Sequence, residues 1–161
     1  MTLYIVRHAF AGERGDPRYP DDSLRPITKK GRKRFERLVA ALVKVGFAPR
    51  WIGTSPYVRC TQTADVLVDH LEDMQRAELV DAFAPGCGTQ DVLNWMCAHP
   101  QQDLAYVGHA PDVDSVAAEL LGAPAEAVHF SKGAIAAIEF PEAPAPRAGI
   151  LRWLVSPKLI G

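Results

Sequence analysis

The chain has 161 residues, which is enough for one domain with a core that buries most of its apolar surface. Its composition, 48% hydrophobic and 23% charged, is typical of a globular protein and excludes fibrous and disordered classes. A net charge of −1 gives no general attraction to nucleic acid or to an anionic membrane, so we expect neither as a partner.

The spacing of the cysteines and the lack of long apolar runs indicate the cellular compartment of the protein. Cys60, Cys87 and Cys97 include no Cys-x-x-Cys pair, which argues against a disulfide framework or a zinc site and favours a reducing environment. The sequence shows no apolar run of the length that crosses a membrane and no signal-peptide pattern at its beginning. We therefore expect a cytoplasmic protein.

Predicted strands and helices alternate along the chain. A short apolar run at 3–9, rich in β-branched and aromatic residues, predicts a buried strand that ends in Arg7 and His8. Further strands are predicted at 51–54, 78–80, 103–108, 134–140 and 150–155, and helices at 28–46, from Ser55 and Pro56 onward, at 89–98 and at 110–121. This alternation predicts a mostly parallel sheet with helices on both faces and an antiparallel edge.

A long irregular segment, 10–27, follows the first predicted strand. It is rich in Gly, Pro and Asp and shows no hydrophobic periodicity. Loops of this length are uncommon inside compact domains and often serve as lids or binding loops. Because the segment leaves directly from His8, we favour a functional loop over a simple insertion.

The helix predicted after this loop has a strongly basic first half. Thr28 is its expected N-cap and Gly46 its expected C-terminal glycine. The cations of this half are Lys29, Lys30, Arg32, Lys33, Arg34 and Arg37. A solvated outer face explains such a cluster more simply than a binding patch for an acidic partner, although both interpretations stay open.

Basic residues and histidines follow three of the predicted strands. Arg7 and His8 end the first strand, Ser55 and Arg59 follow the second, and His109 follows the strand at 103–108. The carboxyl ends of parallel strands meet at one sheet edge, where ligands bind in α/β proteins. No acidic residue is adjacent to any of these side chains, so the sequence predicts an electropositive pocket. Such a pocket suits a phosphoryl group, whose oxygens accept hydrogen bonds from arginine.

His8 is the candidate nucleophile of this pocket. Neighbouring arginines should favour the neutral imidazole, which has a free nitrogen lone pair, and a covalent intermediate divides one difficult displacement into two easier steps. His109, Arg7 and Arg59 would stabilise the charge that develops on the phosphoryl oxygens. A metal on His8 and His109 is disfavoured because the arginines repel a cation and no third ligand is evident.

Four motifs together resemble the histidine phosphatase superfamily, whose fold is phosphoglycerate mutase-like. Arg7-His8-Ala9 is similar to the triplet that closes the first strand of that family, and 24–31 resembles the entry to its first long helix. The segment 55–64 resembles its Ser-Pro-x-x-Arg-x-x-Gln-Thr-Ala block, and 108–111 its Gly-His-x-Pro motif. The small size of the chain resembles the SixA-type phosphohistidine phosphatases in particular.

The resemblance implies a three-layer α/β/α sandwich and a reaction without metal or organic cofactor. It implies that His8 accepts the phosphoryl group and that Arg7, Arg59 and His109 complete the phosphate pocket. Many relatives place an acidic proton donor after the third strand, where this chain offers only Asp81. Glu13 and Asp22 in the long loop are other candidates for a general acid, and Arg14 and Arg25 are candidates for substrate contacts.

The sequence therefore predicts a single-domain, cofactor-independent phosphatase. A phosphoramidate leaving group is readily protonated, so the uncertain acid favours phosphohistidine in a protein as substrate. A small phosphometabolite is the alternative, and a non-catalytic module that binds a phosphorylated ligand is a third and less favoured hypothesis. We expect a monomer whose partner is the phosphorylated substrate.

Overall fold

A computed structural model describes residues 1–72, 74 and 76–160. Within these residues, the strands are β1 (Thr2–Arg7), β2 (Trp51–Thr54), β3 (Glu78–Leu79), β4 (Leu104–Gly108), β5 (Ile135–Glu139) and β6 (Ile150–Val155). The α-helices are α1 (Lys29–Val43), α2 (Val58–His70), α3 (Thr89–Cys97) and α4 (Asp112–Leu121). Short 3₁₀ helices lie at Asp22–Leu24, Asp81–Phe83 and Pro157–Leu159.

The strands form one sheet in the order β3-β2-β4-β1-β5-β6. The first four strands of this order are parallel, whereas β5 runs antiparallel to both β1 and β6. The predicted mostly parallel sheet with antiparallel pairing at one edge is thus confirmed. Because β5 runs in the opposite direction, the residues that precede it lie at the sheet edge where β1, β2 and β4 end.

Helices cover both faces of the sheet and make three layers. Alternate residues of β1 point to opposite faces, as expected of a strand. Leu3 and Ile5 belong to the core under α3 and α4, whereas Tyr4 and Val6 belong to the core under α1 and α2. The implied α/β/α sandwich is therefore confirmed.

Most predicted elements agree with the structure to within two residues. The helix predicted to end at Gly46 ends at Val43, and two other helices begin two or three residues later than predicted. Thr28 caps α1 as predicted, since its hydroxyl oxygen accepts the N–H of Gly31 at 3.0 Å. The helix predicted to begin at Ser55 and Pro56 begins only at Val58, with Tyr57 as its N-cap, and the Ser55 hydroxyl is hydrogen-bonded to His109. The helix predicted from residue 110 begins at Asp112. No helix in the described part of the chain is long and apolar enough to cross a lipid bilayer.

Candidate active site

The register of the parallel strands sets two histidines side by side. Arg7 of β1 pairs with Gly108 of β4, so His8 and His109 leave the sheet at the same level. The backbone N–H of His8 donates to the Gly108 carbonyl at 3.0 Å, and the two imidazole rings meet edge to face with centroids 5.4 Å apart. Neighbouring parallel strands thus deliver both rings to one point.

A cavity of about 480 Å³ opens at this edge of the sheet. That volume falls within the usual range of ligand pockets, roughly 300–1,000 Å³. The structure brings Arg7, His8, Arg59 and His109 together in its lining. Four further residues named from the sequence also line it, namely Glu13, Arg14, Asp22 and Arg25, whereas Asp81 does not.

The hydrogen bonding of His8 fixes its tautomer. Its Nδ1 lies 2.8 Å from the carbonyl oxygen of Ala9, which can only accept, so Nδ1 carries the proton and Nε2 keeps its lone pair. Burial lowers the pKa of His8 to about 3, opposed by the Ala9 carbonyl and assisted by His109, Arg59 and Arg7. The imidazole is therefore neutral, as predicted, but burial contributes more than the arginines that the sequence suggested.

His109 is held from the side of α2. Its Nε2 lies 2.8 Å from the Ser55 hydroxyl oxygen and 3.4 Å from the sulfur of Cys60. The ring of Tyr57 packs edge-on against it with centroids 5.1 Å apart. Burial, followed by the charge of Arg59, lowers the pKa of His109 to about 3. Both histidines of the cavity are thus neutral near pH 7 and oriented by buried partners.

Each of the two central arginines retains an unused donor. Arg7 donates from Nη1 to the carbonyl oxygen of Phe130 at 2.6 Å, and Arg59 donates from Nη1 to the Asp22 carbonyl oxygen at 2.8 Å. The Nε–H groups of both arginines are buried without an acceptor among the described residues. Both guanidinium groups line the cavity, and the donors of a guanidinium suit the oxygens of an anion.

The expectation of a pocket without acidic residues is wrong. Asp22 reaches back from the long loop and its Oδ2 lies 3.1 Å from Arg59 Nη1, while its Oδ1 accepts from Arg25 Nε at 2.9 Å. The hydrogen bond from Arg25 holds the pKa of Asp22 below its ordinary value. Adjacency in sequence did not reveal this contact, because the loop brings Asp22 to Arg59 only in the folded chain.

Arg25 is buried and anchors the long loop. Besides Asp22, it donates from Nη1 to the carbonyl oxygens of Ala11 at 2.9 Å and Gly12 at 3.2 Å. Glu13 and Arg14, by contrast, are exposed at the mouth of the cavity. Arg25 therefore fixes the loop at Ala11 and Gly12, and the charged side chains of Glu13 and Arg14 lie at the rim of the cavity.

Sequence reasoning missed several residues of the cavity lining. They are Tyr57, Lys132, Asp112 and the turn formed by Pro85 and Gly86. Lys132 precedes β5, and the antiparallel pairing of β5 with β1 places the start of β5 at the same edge as the ends of β1 and β4. The sequence predicted an antiparallel edge but not which of the last two strands pairs with β1, so it gave no signal for Lys132. Tyr57 lies between the motif residues Ser55 and Arg59, and its ring centroid lies 4.9 Å from Arg59 Cζ.

The described residues contain no cluster of three His, Cys, Asp or Glu side chains arranged to hold a metal ion. The donors of the cavity are instead guanidinium and imidazole groups, which match the three equatorial oxygens of a phosphoryl group.

Comparisons with known proteins show the family to which the chain belongs. The model of the histidine phosphatase superfamily (branch 1) matches residues 3–84. An uncharacterized protein of Picosynechococcus sp. (strain PCC 7002) is 34% identical over 135 residues, which are 82% of this chain and 75% of that protein. The 8-oxo-(d)GTP phosphatase of Mycolicibacterium smegmatis is 39% identical over 74 residues, which are 45% of this chain but only 22% of that protein.

The structure of the protein histidine phosphatase SixA in complex with tungstate superposes with a TM-score of 0.85 at 25% identity, and the alignment covers all of both chains. The chain belongs to the histidine phosphatase superfamily. It is a phosphatase, and within the superfamily it is SixA-like.

Proposed function

We propose that this phosphatase removes the phosphoryl group from phosphohistidine in a protein, with His8 as the nucleophile. The observation that carries the proposal is the Nδ1–H of His8 donating to the Ala9 carbonyl, which leaves the Nε2 lone pair free in a cavity that is also lined by Arg7 and Arg59. A neutral, oriented imidazole surrounded by cations suits attack on a phosphorus atom.

The proposed reaction has two steps. In the first, Nε2 of His8 forms a bond to phosphorus while the bond from phosphorus to the substrate nitrogen breaks, and that nitrogen takes up a proton from solvent. In the second, water attacks the phosphorus of phospho-His8 and releases one proton to solvent. The bond from Nε2 to phosphorus breaks, its electron pair returns to Nε2, and inorganic phosphate leaves. Arg7, Arg59 and His109 donate to the equatorial oxygens in both steps, where charge develops.

The carboxylates near the cavity favour a nitrogen leaving group. Asp22 is paired with Arg25 and Arg59, and its lowered pKa makes it a poor proton donor near neutral pH. Glu13 is exposed at the rim, and Asp112 accepts the backbone N–H of Gly86 at 2.8 Å. An imidazole leaving group needs less assistance from an acid than an alkoxide, which supports phosphohistidine over an unactivated phosphate ester.

A small phosphometabolite is the second candidate substrate. The similarity to an 8-oxo-(d)GTP phosphatase supports it, as do the cations of Arg14 and Lys132 at the cavity, which suit additional phosphate groups. Comparison of kcat/KM for a phosphohistidine protein and for a panel of nucleotides and sugar phosphates distinguishes the two candidates. A higher value for any metabolite contradicts the first.

The mechanism is tested with His8→Ala and, as a matched control, His70→Ala, because His70 lies on α2 outside the cavity lining. We expect His8→Ala to lower phosphoramidate hydrolysis by at least about a thousand-fold. A brief incubation of the unaltered protein with ³²P-labelled substrate should give an acid-labile label on His8, which also excludes a module that only binds. Activity that survives His8→Ala contradicts the mechanism.

A further inference from the structure

A second groove adjoins the catalytic cavity. Its volume is about 290 Å³, and it lies between the start of α1, the segment before β5 and the last 3₁₀ helix. Its floor is formed by Ala9, Gly31, Phe35 and Gly133, and its walls by Phe10, Arg34, Lys132, Pro157 and Lys158. The reaction proposed above uses none of the wall residues.

The groove and the cavity share one wall. Lys132 lines both, and its Nζ lies 4.4 Å from the ring centroid of Phe10, whose side chain is 41% exposed. Ala9 and Phe10 directly follow His8 in the chain. A ligand whose phosphoryl group lies at His8 therefore needs only to pass Lys132 and Phe10 to enter the groove.

The groove is built by contacts that hold its sides in place. The N–H of Gly133 donates to the His8 carbonyl at 3.0 Å, and the Ser131 and Ser156 hydroxyls are hydrogen-bonded at 2.7 Å. Gly133 has a φ of +78°, and a Cβ there would lie 3.0 Å from Pro157 Cγ. These contacts fix the segment before β5 against the last 3₁₀ helix, so the groove is formed before a ligand binds.

The charge of the groove is entirely positive. Arg34, Lys132 and Lys158 line the groove, and no carboxylate is among its described lining residues. None of these three cations forms an ion pair with a carboxylate of the described residues. The whole chain carries a net charge of −1, so the concentration of cations here does not follow from an overall basic composition. The apolar surfaces of Phe10, Phe35 and Pro157 lie between these charges.

We propose that this groove binds an acidic stretch of polypeptide next to the phosphorylated residue of a protein substrate. The inference rests on the proposed function, because it assigns the groove to the flank of the same substrate. Cations spaced along an apolar channel match a polypeptide whose carboxylates alternate with backbone and aliphatic surface. The sequence allowed two interpretations of the basic first half of α1, a solvated face or a binding patch for an acidic partner. In this proposal, Arg34 of that half contacts the substrate.

The test uses synthetic peptides that contain one phosphohistidine, flanked on both sides by three glutamates or by three lysines. The measured quantity is the ratio of kcat/KM for the acidic peptide to kcat/KM for the basic peptide, which cancels any general loss of activity in a variant. We expect the unaltered protein to prefer the acidic peptide and added salt to reduce that preference. Arg34→Glu and Lys158→Glu should each lower the ratio by about fivefold or more, mainly through KM.

Arg37→Glu is the matched control. Arg37 lies on the same helix but on the surface that contains His70, so the same charge reversal should keep the ratio. Equal kcat/KM for both peptides in the unaltered protein, or an equal loss of preference in Arg37→Glu and Arg34→Glu, overturns the docking proposal. Those outcomes do not contradict the proposed reaction at His8. Phosphoramidate hydrolysis that persists in His8→Ala, by contrast, overturns the proposed function itself.

Discussion

The carboxylate of Asp22 lies 3.1 Å from the guanidinium of Arg59, and the same guanidinium donates to the Asp22 backbone carbonyl at 2.8 Å. An acidic side chain from the long loop thus contacts Arg59, one of the four arginines that line the cavity. The pair orients Arg59 through the backbone contact, while the carboxylate partly offsets its positive charge toward an incoming dianion.

Replacement of Asp22 by Asn should therefore tighten anion binding. The amide oxygen can still accept from Arg25 and the backbone contact to Arg59 remains, but the negative charge is lost. We expect the inhibition constant of inorganic phosphate or vanadate to fall by several-fold, on the order of 1 kcal/mol of binding free energy. Asp16→Asn is the control, because Asp16 pairs with Arg18 and does not line the cavity. Weaker inhibition in Asp22→Asn would mean that the carboxylate acts mainly as an organiser of Arg59.

Asp114 holds the side chain of Arg7 in place through the backbone of Phe130. Asp114 Oδ1 accepts the N–H of Phe130 at 3.0 Å, and the Phe130 carbonyl oxygen accepts from Arg7 Nη1 at 2.6 Å. Asp114→Ala should release this segment and lower kcat by about tenfold with little change in KM, because orientation of a donor in the transition state is lost. Asp114→Asn retains an acceptor and should restore most of kcat. A folded Asp114→Ala variant with unchanged kcat would show that Phe130 holds Arg7 without help.

The Ser55 hydroxyl is predicted to position His109. It lies 2.8 Å from Nε2 of that ring and also accepts the N–H of Tyr57 at 3.3 Å. Ser55→Ala removes both contacts, and we expect kcat to fall by about tenfold because the ring loses its fixed orientation. Thr61→Ala is the control, since the Thr61 hydroxyl donates only to the Val58 carbonyl on the same helix. Equal activity of the two variants would indicate that Tyr57 and Cys60 suffice to hold the ring.

Protonation of the two buried histidines should make stability depend on pH. Their pKa values are lowered to about 3 in the folded chain, mainly by burial, whereas an unfolded histidine titrates near 6.5. Above about pH 6.5 both states hold neutral imidazoles and these groups cause no pH dependence. As the pH falls from about 6.5 toward 3, the unfolded chain takes up protons that the folded chain does not. Each histidine then removes stability, by at most about 1.4 kcal/mol per pH unit.

Urea unfolding at pH 7.5 and pH 5.5 measures this dependence while most carboxylates remain ionised. The unaltered protein should lose stability over this interval, and a variant with both His8→Asn and His109→Asn should lose markedly less. The same loss in both proteins would assign the pH dependence to other groups.

Local patterns identified most of the fold before any contact was known. Alternation and β-branched runs located the strands, and Thr28 marked the start of α1, because these signals depend on backbone preferences of neighbouring residues. The convergence of His8 and His109 was predictable as well, since parallel strands of similar length end at one edge. The start of α2 was not, because the Ser55 hydroxyl is hydrogen-bonded to His109, 54 residues away, and the N-cap position belongs to Tyr57, which makes no side-chain capping contact.

By itself, the sequence determined the alternation of strands and helices and the set of basic residues and histidines that follow the strands. Only the tertiary structure decided that Asp22 lies against Arg59, that Lys132 joins the cavity and that a basic groove continues beyond it. The physical reason is that periodicity and capping act between near neighbours. The path of a long loop and the return of an antiparallel strand are set instead by packing between segments far apart in the chain.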